Sequence, residues 1–156
     1  MRIHLIAVGT RMPKWVTEGY QEYAKRLPRE CALVLKEIEP AKRNKSAKPQ
    51  QLMEDEAKRI QVAIPKGAHV VALDVRGKSW STETLSENMK DWLQLGQDIA
   101  LLIGGPDGLS ADCLKLAKQR WSLSALTMPH PLVRVLLAEQ LYRGWTLIQG
   151  HPYHRG

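Results

Sequence analysis

Ile99-Ala-Leu-Leu-Ile-Gly-Gly-Pro-Asp-Gly-Leu-Ser110 is the stretch on which the fold turns. An unbroken apolar run that passes at once into a glycine-rich loop reads as a short strand buried on both faces, as strands of parallel sheets are. Ligands of open α/β sheets bind where such strands end, and glycines there let backbone amides come close to a ligand. The loop is not G-x-G-x-x-G, so the dinucleotide fingerprint fails, and it lacks the lysine of a triphosphate-binding loop. A tight turn that needs positive φ at Gly105 or Gly108 accounts for the glycines equally well. A functional reading requires a second element at the same sheet edge.

Outward from this strand the chain alternates. Residues 2–8 (RIHLIAV) read as a buried strand closed by Gly9, and 32–38 (ALVLKEI) as a second strand. His69 to Asp74 (HVVALD) forms a third, nearly all apolar, and Trp121–Ser124 a short last one. Between them lie helices. Pro13 opens one through Leu27 with Trp15, Val16, Tyr20, Tyr23 and Ala24 on its apolar face, and 49–64 repeats apolar residues at helical spacing. Ser81 caps a third helix that Gly96 closes, a short one runs to about Gln119, and the last spans about Pro131 to Ile148. This alternation predicts an α/β fold with a mostly parallel sheet flanked by helices. A chain of 156 residues fits one domain, 1–156.

The 44% hydrophobic and 25% charged residues exclude disorder and low-complexity classes. The net charge of +7 points to an anionic partner. It is unevenly placed: +7 over 1–78, −5 over 79–114 and +5 over 115–156. The densest basic run is Lys42, Arg43, Lys45 and Lys48, with no acid between Glu39 and Glu54. It reads either as a solvated loop or as a phosphate-contacting one. Cys31 and Cys113 stand far apart outside any C-x-x-C pair, and no zinc signature is readable. The first nine residues are too short and mixed for a signal peptide, and no apolar run is long enough for a membrane span, so a cytoplasmic protein is expected.

The second element sought at the sheet edge is Trp121-Ser-Leu-Ser-Ala-Leu-Thr-Met-Pro-His-Pro-Leu-Val-Arg134, a strand, a hydroxyl-bearing loop and a proline-opened helix. That helix is apolar almost all round, which means burial and, in so small a chain, a subunit partner. Glu139 and Arg143 read as an i,i+4 surface pair with a structural role alone. The chain ends His151-Pro-Tyr-His-Arg-Gly156, two imidazoles, a phenol and a guanidinium that can stack on bases and touch phosphates.

Taken together, IHLIAVGTRMPKWV, LLIGGPDGLS, WSLSALTMPHPLVRVLLAEQLYR and HPYHR resemble the ribosomal RNA large-subunit methyltransferase H family across essentially the whole chain. That family methylates N3 of a pseudouridine in 23S rRNA. The resemblance implies a SPOUT-class sheet ending in a deep C-terminal trefoil knot, which spacing alone does not suggest because knots are so rare. It implies S-adenosylmethionine held by Leu73, Gly104 and Leu123, Ser124, Ala125, Leu126, Thr127 and Met128, mostly through backbone groups. It gives Tyr153, His154 and Arg155 a part in substrate binding and catalysis. It further implies a homodimer, the 70S ribosome as substrate, and neither metal nor membrane. His154 and Arg155 are then the candidates for removing the N3 proton or steadying the resulting anion, with Tyr153 against the base. A chain with no separate RNA-binding domain is expected to complete its site between two subunits. The rival readings are a non-catalytic basic RNA-binding protein and a SPOUT enzyme acting on another RNA position.

Overall fold

Side chains alternate across a strand, and in this sheet both faces are apolar, so both must be covered. The computed structural model describes residues 1–155. In chain order the elements are β1 (Arg2–Val8), α1 (Lys14–Ala24), β2 (Ala32–Ile38), α2 (Pro49–Ala63), β3 (His69–Ser79), α3 (Thr82–Leu95), β4 (Ile99–Ile103), α4 (Ala111–Leu116), β5 (Gln119–Ser122) and α5 (His130–Gln149). The five strands lie in the order β2-β1-β4-β3-β5, and every neighbouring pair is parallel. On one face, Ile3, Leu5 and Ala7 of β1 pack with Tyr20 of α1, Leu85, Met89 and Trp92 of α3 and Leu137 and Leu141 of α5. On the other, Ile6 and Val8 pack with Ala57 and Ile60 of α2 and Cys113 and Leu114 of α4. Every residue of β4 is buried, as the apolar run predicted. The mostly parallel α/β sheet flanked by helices is therefore as expected.

Local chemistry sets the ends of the elements. Ser81 Oγ accepts the Thr84 amide at 3.0 Å, and Gly96 closes α3 at φ 70°. At the amino-terminal edge of the sheet, Asp98 accepts from the Arg2 amide at 3.0 Å and meets the His4 ring at 2.9 Å, tying β1 to the start of β4. Among the described residues, no helix is long and apolar enough to cross a membrane.

Five expectations need correction. Helix α1 stops at Ala24 rather than Leu27, and Trp15, assigned to its apolar face, is 57% exposed because the buried side carries Val16 and Tyr20. Helix α4 ends at Leu116 rather than about Gln119, and β5 is Gln119–Ser122 rather than Trp121–Ser124. Strand β3 continues past Asp74 to Ser79, with its register to β5 broken between Leu73 and Lys78. The last two share a cause at Gly77. A Cβ there would stand 2.6 Å from the carbonyl carbon of Arg120, so only a bare α-carbon lets β5 lie against the second half of β3. The bulge between the two paired stretches carries Asp74 and Val75 out of the ladder. Replacing Gly77 by alanine is expected to destabilise the protein by about 1–3 kcal/mol, because backbone cannot yield as a side chain does. Urea denaturation reads this, and an unchanged midpoint would show that the approach is not tight.

Candidate functional site

A cavity of about 740 Å³ opens at the carboxyl end of β4, beside the bulge of β3, within the size range of small-molecule sites. One wall is the glycine loop. Gly108, at φ 82°, donates its amide to the Gly105 carbonyl at 2.9 Å and folds the loop back on itself. A Cβ on Gly104 would come within 2.5 Å of the Gly108 backbone, so the turn needs a glycine at each position for a different reason. Both readings of the loop hold together: it is a tight turn, and it lines a cavity.

The opposite wall is the segment from Leu123 to His130. Ser124 Oγ accepts the Leu126 amide at 2.9 Å, and Ser122 Oγ donates to the Ser124 carbonyl at 3.2 Å, so the hydroxyls shape the loop. Of the residues that the resemblance assigns to the cofactor, Leu73, Gly104, Leu123, Ser124, Leu126, Thr127 and Met128 line the cavity. Ala125 lies in the same loop with its side chain exposed, outside the lining set. Leu126 lines the cavity yet stays 75% exposed, at its mouth.

Residue reasoning missed several lining groups. Asp74 and Val75 reach the cavity through the bulge, whose signal in the sequence was Gly77. Asp107 is the single acid of the glycine loop, and its Oδ2 lies 3.2 Å from Nη1 of Arg43 in the basic run. Trp121 lines the floor, stacked on Trp80 with ring centres 4.7 Å apart.

His130 is the first residue of α5 and lines the cavity, with Nδ1 buried and unpartnered. Burial first, and then the positive charge of Arg134, hold its pKa below the ordinary 6.5. The unfolded chain therefore takes up a proton at higher pH than the folded one. The stability that neutral His130 allows is complete above 6.5 and is lost as pH falls through 6.5 towards the lowered value. Replacement by asparagine is expected to flatten the decline in unfolding free energy on that acid side. Denaturation at stepped pH measures it, and a slope equal to that of the parent protein would contradict the assignment.

Arg134, one turn further on, is the charged group buried deepest. Its guanidinium donates to Glu37 Oε2 at 2.7 Å and to the Gly9 carbonyl at 2.9 Å, fastening α5 to the carboxyl ends of β2 and β1. Beyond α5 the chain turns back in a 3₁₀ segment, Pro152–Arg155. The Tyr153 hydroxyl donates to Glu139 Oε2 at 2.9 Å, Arg143 pairs with the same oxygen at 2.8 Å, and its guanidinium sits 4.9 Å from the Tyr153 ring centre. The Glu139–Arg143 pair thus does more than support a helix surface: it anchors the tail. Burial and the Glu139 bond push the Tyr153 phenol up to about 12, so it stays a donor. Its ring meets Tyr142 edge-on at 4.7 Å, which leaves Tyr153 holding the tail rather than free to lie against a base.

His154 Nδ1 lies 2.7 Å from the His151 carbonyl. A carbonyl only accepts, so this contact places a proton on Nδ1, and in the neutral imidazole the lone pair is then on Nε2. The imidazole lines a separate polar cavity of about 290 Å³ with Thr82, Glu83, Gln140, Arg143 and Leu147. Among the described residues, none lines both cavities. Within one chain the structure therefore does not bring Tyr153, His154 and Arg155 together with the lining residues of the larger cavity.

A family model described as "Predicted SPOUT methyltransferase" matches residues 1–154. A protein of Methylococcus capsulatus named ribosomal RNA large subunit methyltransferase H is 58% identical over 99% of this chain and 100% of its own length. Its namesake in Hahella chejuensis is 61% identical, with 99% of each chain covered. Among solved structures, TrmJ from Z. mobilis matches with a TM-score of 0.57 at 18% identity, over 92% of this chain and 70% of that one. At that identity the likeness is one of fold.

Proposed function

The chain belongs to the SPOUT methyltransferase family, and from that premise we propose that it transfers a methyl group from S-adenosylmethionine to 23S rRNA, at N3 of a pseudouridine on the assembled 70S ribosome. Methylation of ribosomal RNA is what the names of relatives matching 99% of the chain carry. The pseudouridine, the assembled particle, the cytoplasm and the homodimer are the finer parts of this reading. Family membership disfavours the rival of a non-catalytic RNA-binding module.

The observation that carries it is the larger cavity. Its volume suits a nucleoside with an amino-acid arm. Leu73, Ile103, Leu109 and Leu123 offer apolar walls, the loops of Gly104 and Leu123–Met128 offer backbone groups, and Asp74 offers a carboxylate suited to a cationic donor. When bound, the donor supplies an electrophilic methyl on a positively charged sulfur. The trefoil threading expected of SPOUT proteins belongs to this reading, since the cavity lies where the loop after β4 faces the loop after β5.

The protein's own share is alignment and proton handling. Positioning two reactants can supply several kcal/mol of a barrier. The N3 proton needs an acceptor, and His154 Nε2, left free by the His151 contact, is the group so prepared, with Arg155 to steady the anion. Tyr153 is the positioning residue, bound to Glu139. Because the tail stands at its own cavity, the working site is completed by a second copy, one subunit giving the cofactor cavity and the other the tail.

Deletion of residues 151–156 is expected to abolish methylation of ribosomes from a strain lacking the modification, while calorimetry still detects S-adenosylmethionine binding. Full activity after deletion would remove the tail from the reaction. An absence of binding heat in the intact protein would remove the proposed function itself.

A further inference from the structure

The basic run of the β2–α2 loop is a strongly charged feature that the cofactor cavity and the tail leave unused. Pro40 and Pro49 bracket it, and its entry is fixed from below by a buried acid. Glu56, 2% exposed, accepts the Ala41 amide at 3.0 Å through Oε2. Its other oxygen lies 3.1 Å from where a Cβ on Gly105 would stand, so the carboxylate fills the space beneath the glycine loop. Arg43 closes the join from above: Nη1 lies 3.2 Å from Asp107 Oδ2 and Nη2 3.7 Å from Glu56 Oε2. Further out, Asn44 Oδ1 accepts from the amide of Ser46 at 3.0 Å and from its hydroxyl at 2.9 Å, giving the tip a defined turn.

The arginine's charge is spent on two carboxylates, but Lys42, Lys45 and Lys48 are exposed, and none is within ion-pair distance of an acid among the described residues. Three free ammonium groups therefore stand on a shaped loop latched to the wall of the cavity that Asp107 lines. We propose that Lys42, Lys45 and Lys48 form an RNA-phosphate arm at the rim of the cofactor cavity, and that Arg43 is the residue that positions it. This rests on the reading of that cavity as the methyl-donor site of an RNA methyltransferase.

Two features favour RNA over a membrane surface. Between Lys42 and Lys48 the only apolar side chain is Ala47, so nothing on the arm could enter a bilayer. The rim beside it carries Asp74 and Asp107, which repel phosphate unless compensated, and Arg43 neutralises Asp107 where the arm begins. A target nucleotide entering the cavity brings flanking phosphates with it, and lysines on a fixed loop are the groups that receive them.

The test compares Lys42→Gln/Lys45→Gln/Lys48→Gln with a charge-matched control, Arg29→Gln/Lys66→Gln/Lys118→Gln, whose three residues are exposed just ahead of β2, β3 and β5 at the far edge of the sheet. Affinity for 23S rRNA is read by filter binding across a salt series, and KM and kcat by methylation of unmodified ribosomes. The arm variant is expected to weaken RNA binding on the order of tenfold at physiological salt and to flatten the salt dependence by roughly 2–3 units of log–log slope. KM should rise while kcat and S-adenosylmethionine affinity hold. Arg43→Gln, which frees the loop but leaves the lysines, should raise KM with the salt slope unchanged. Equal weakening in the control would show that net charge alone matters, and unchanged binding in the arm variant would remove the arm. Parent protein that binds rRNA without methylating it would overturn the proposed function while the binding comparison still judges the arm. A fall in the salt slope for Arg43→Gln would make Arg43 a phosphate contact and overturn its positioning role.

Discussion

One buried guanidinium holds the working parts of this molecule in register. Arg134 is 1% exposed, and its bonds to the Gly9 carbonyl and to Glu37 join the start of α5 to the ends of β1 and β2. A charge that deep is costly to desolvate, and its Nε stays without a partner, so the clamp is not there for stability alone. What it provides is placement. His130, one turn before it, faces the cofactor cavity, and Glu139 and Arg143, further along the same helix, hold the tail. A helix of 20 residues is about 30 Å long. It therefore acts as a rigid bar between the two places.

That separation shapes the functional reading. The tail is no frayed end: Tyr153 is bound by Glu139, covered by Arg143 and met edge-on by Tyr142, and His154 is oriented by the His151 carbonyl. Yet it stands at its own polar cavity and not at the one whose walls suit a methyl donor. On the proposed reading, in which His154 is the base and the larger cavity holds the donor, the two places make chemical sense when two copies face one another. The exposed Trp15 and the half-buried Leu132, Val135 and Leu136 of α5 are apolar surface of the kind such a partner covers.

How much of this the sequence disclosed follows from the kind of force at each place. Strands β1 and β4 begin and end where the apolar runs do, because burial decides them, and the edge strand β2 keeps its expected bounds although only Ile38 of it is buried. The caps of α3 were equally legible, since Ser81 and Gly96 act within one turn. The end of β3 and the start of β5 were not, because Gly77 matters only through its approach to Arg120, more than forty residues away in sequence. Trp15 misled for the related reason that helical spacing names an apolar side without saying how much of it the neighbours reach. The glycine loop showed that a ligand was plausible. Its partners Asp74 and His130 meet it only once the sheet is built, and the resemblance supplied Leu123 to Met128. The Glu139–Arg143 pair was visible, but its hold on Tyr153 requires the chain to turn back on its own helix.

The central claim is that the cofactor cavity of one subunit works with the tail of the other. Mixing two inactive variants tests it most directly: one lacking residues 151–156, the other with Leu73→Trp filling the cavity, each first shown to fold. Random exchange puts one complete cavity-and-tail pair in half of the dimers, so the mixture should recover about a quarter of the parent methylation activity. A mixture as inactive as its components would contradict the claim and place the cavity and the tail of one reaction in the same chain.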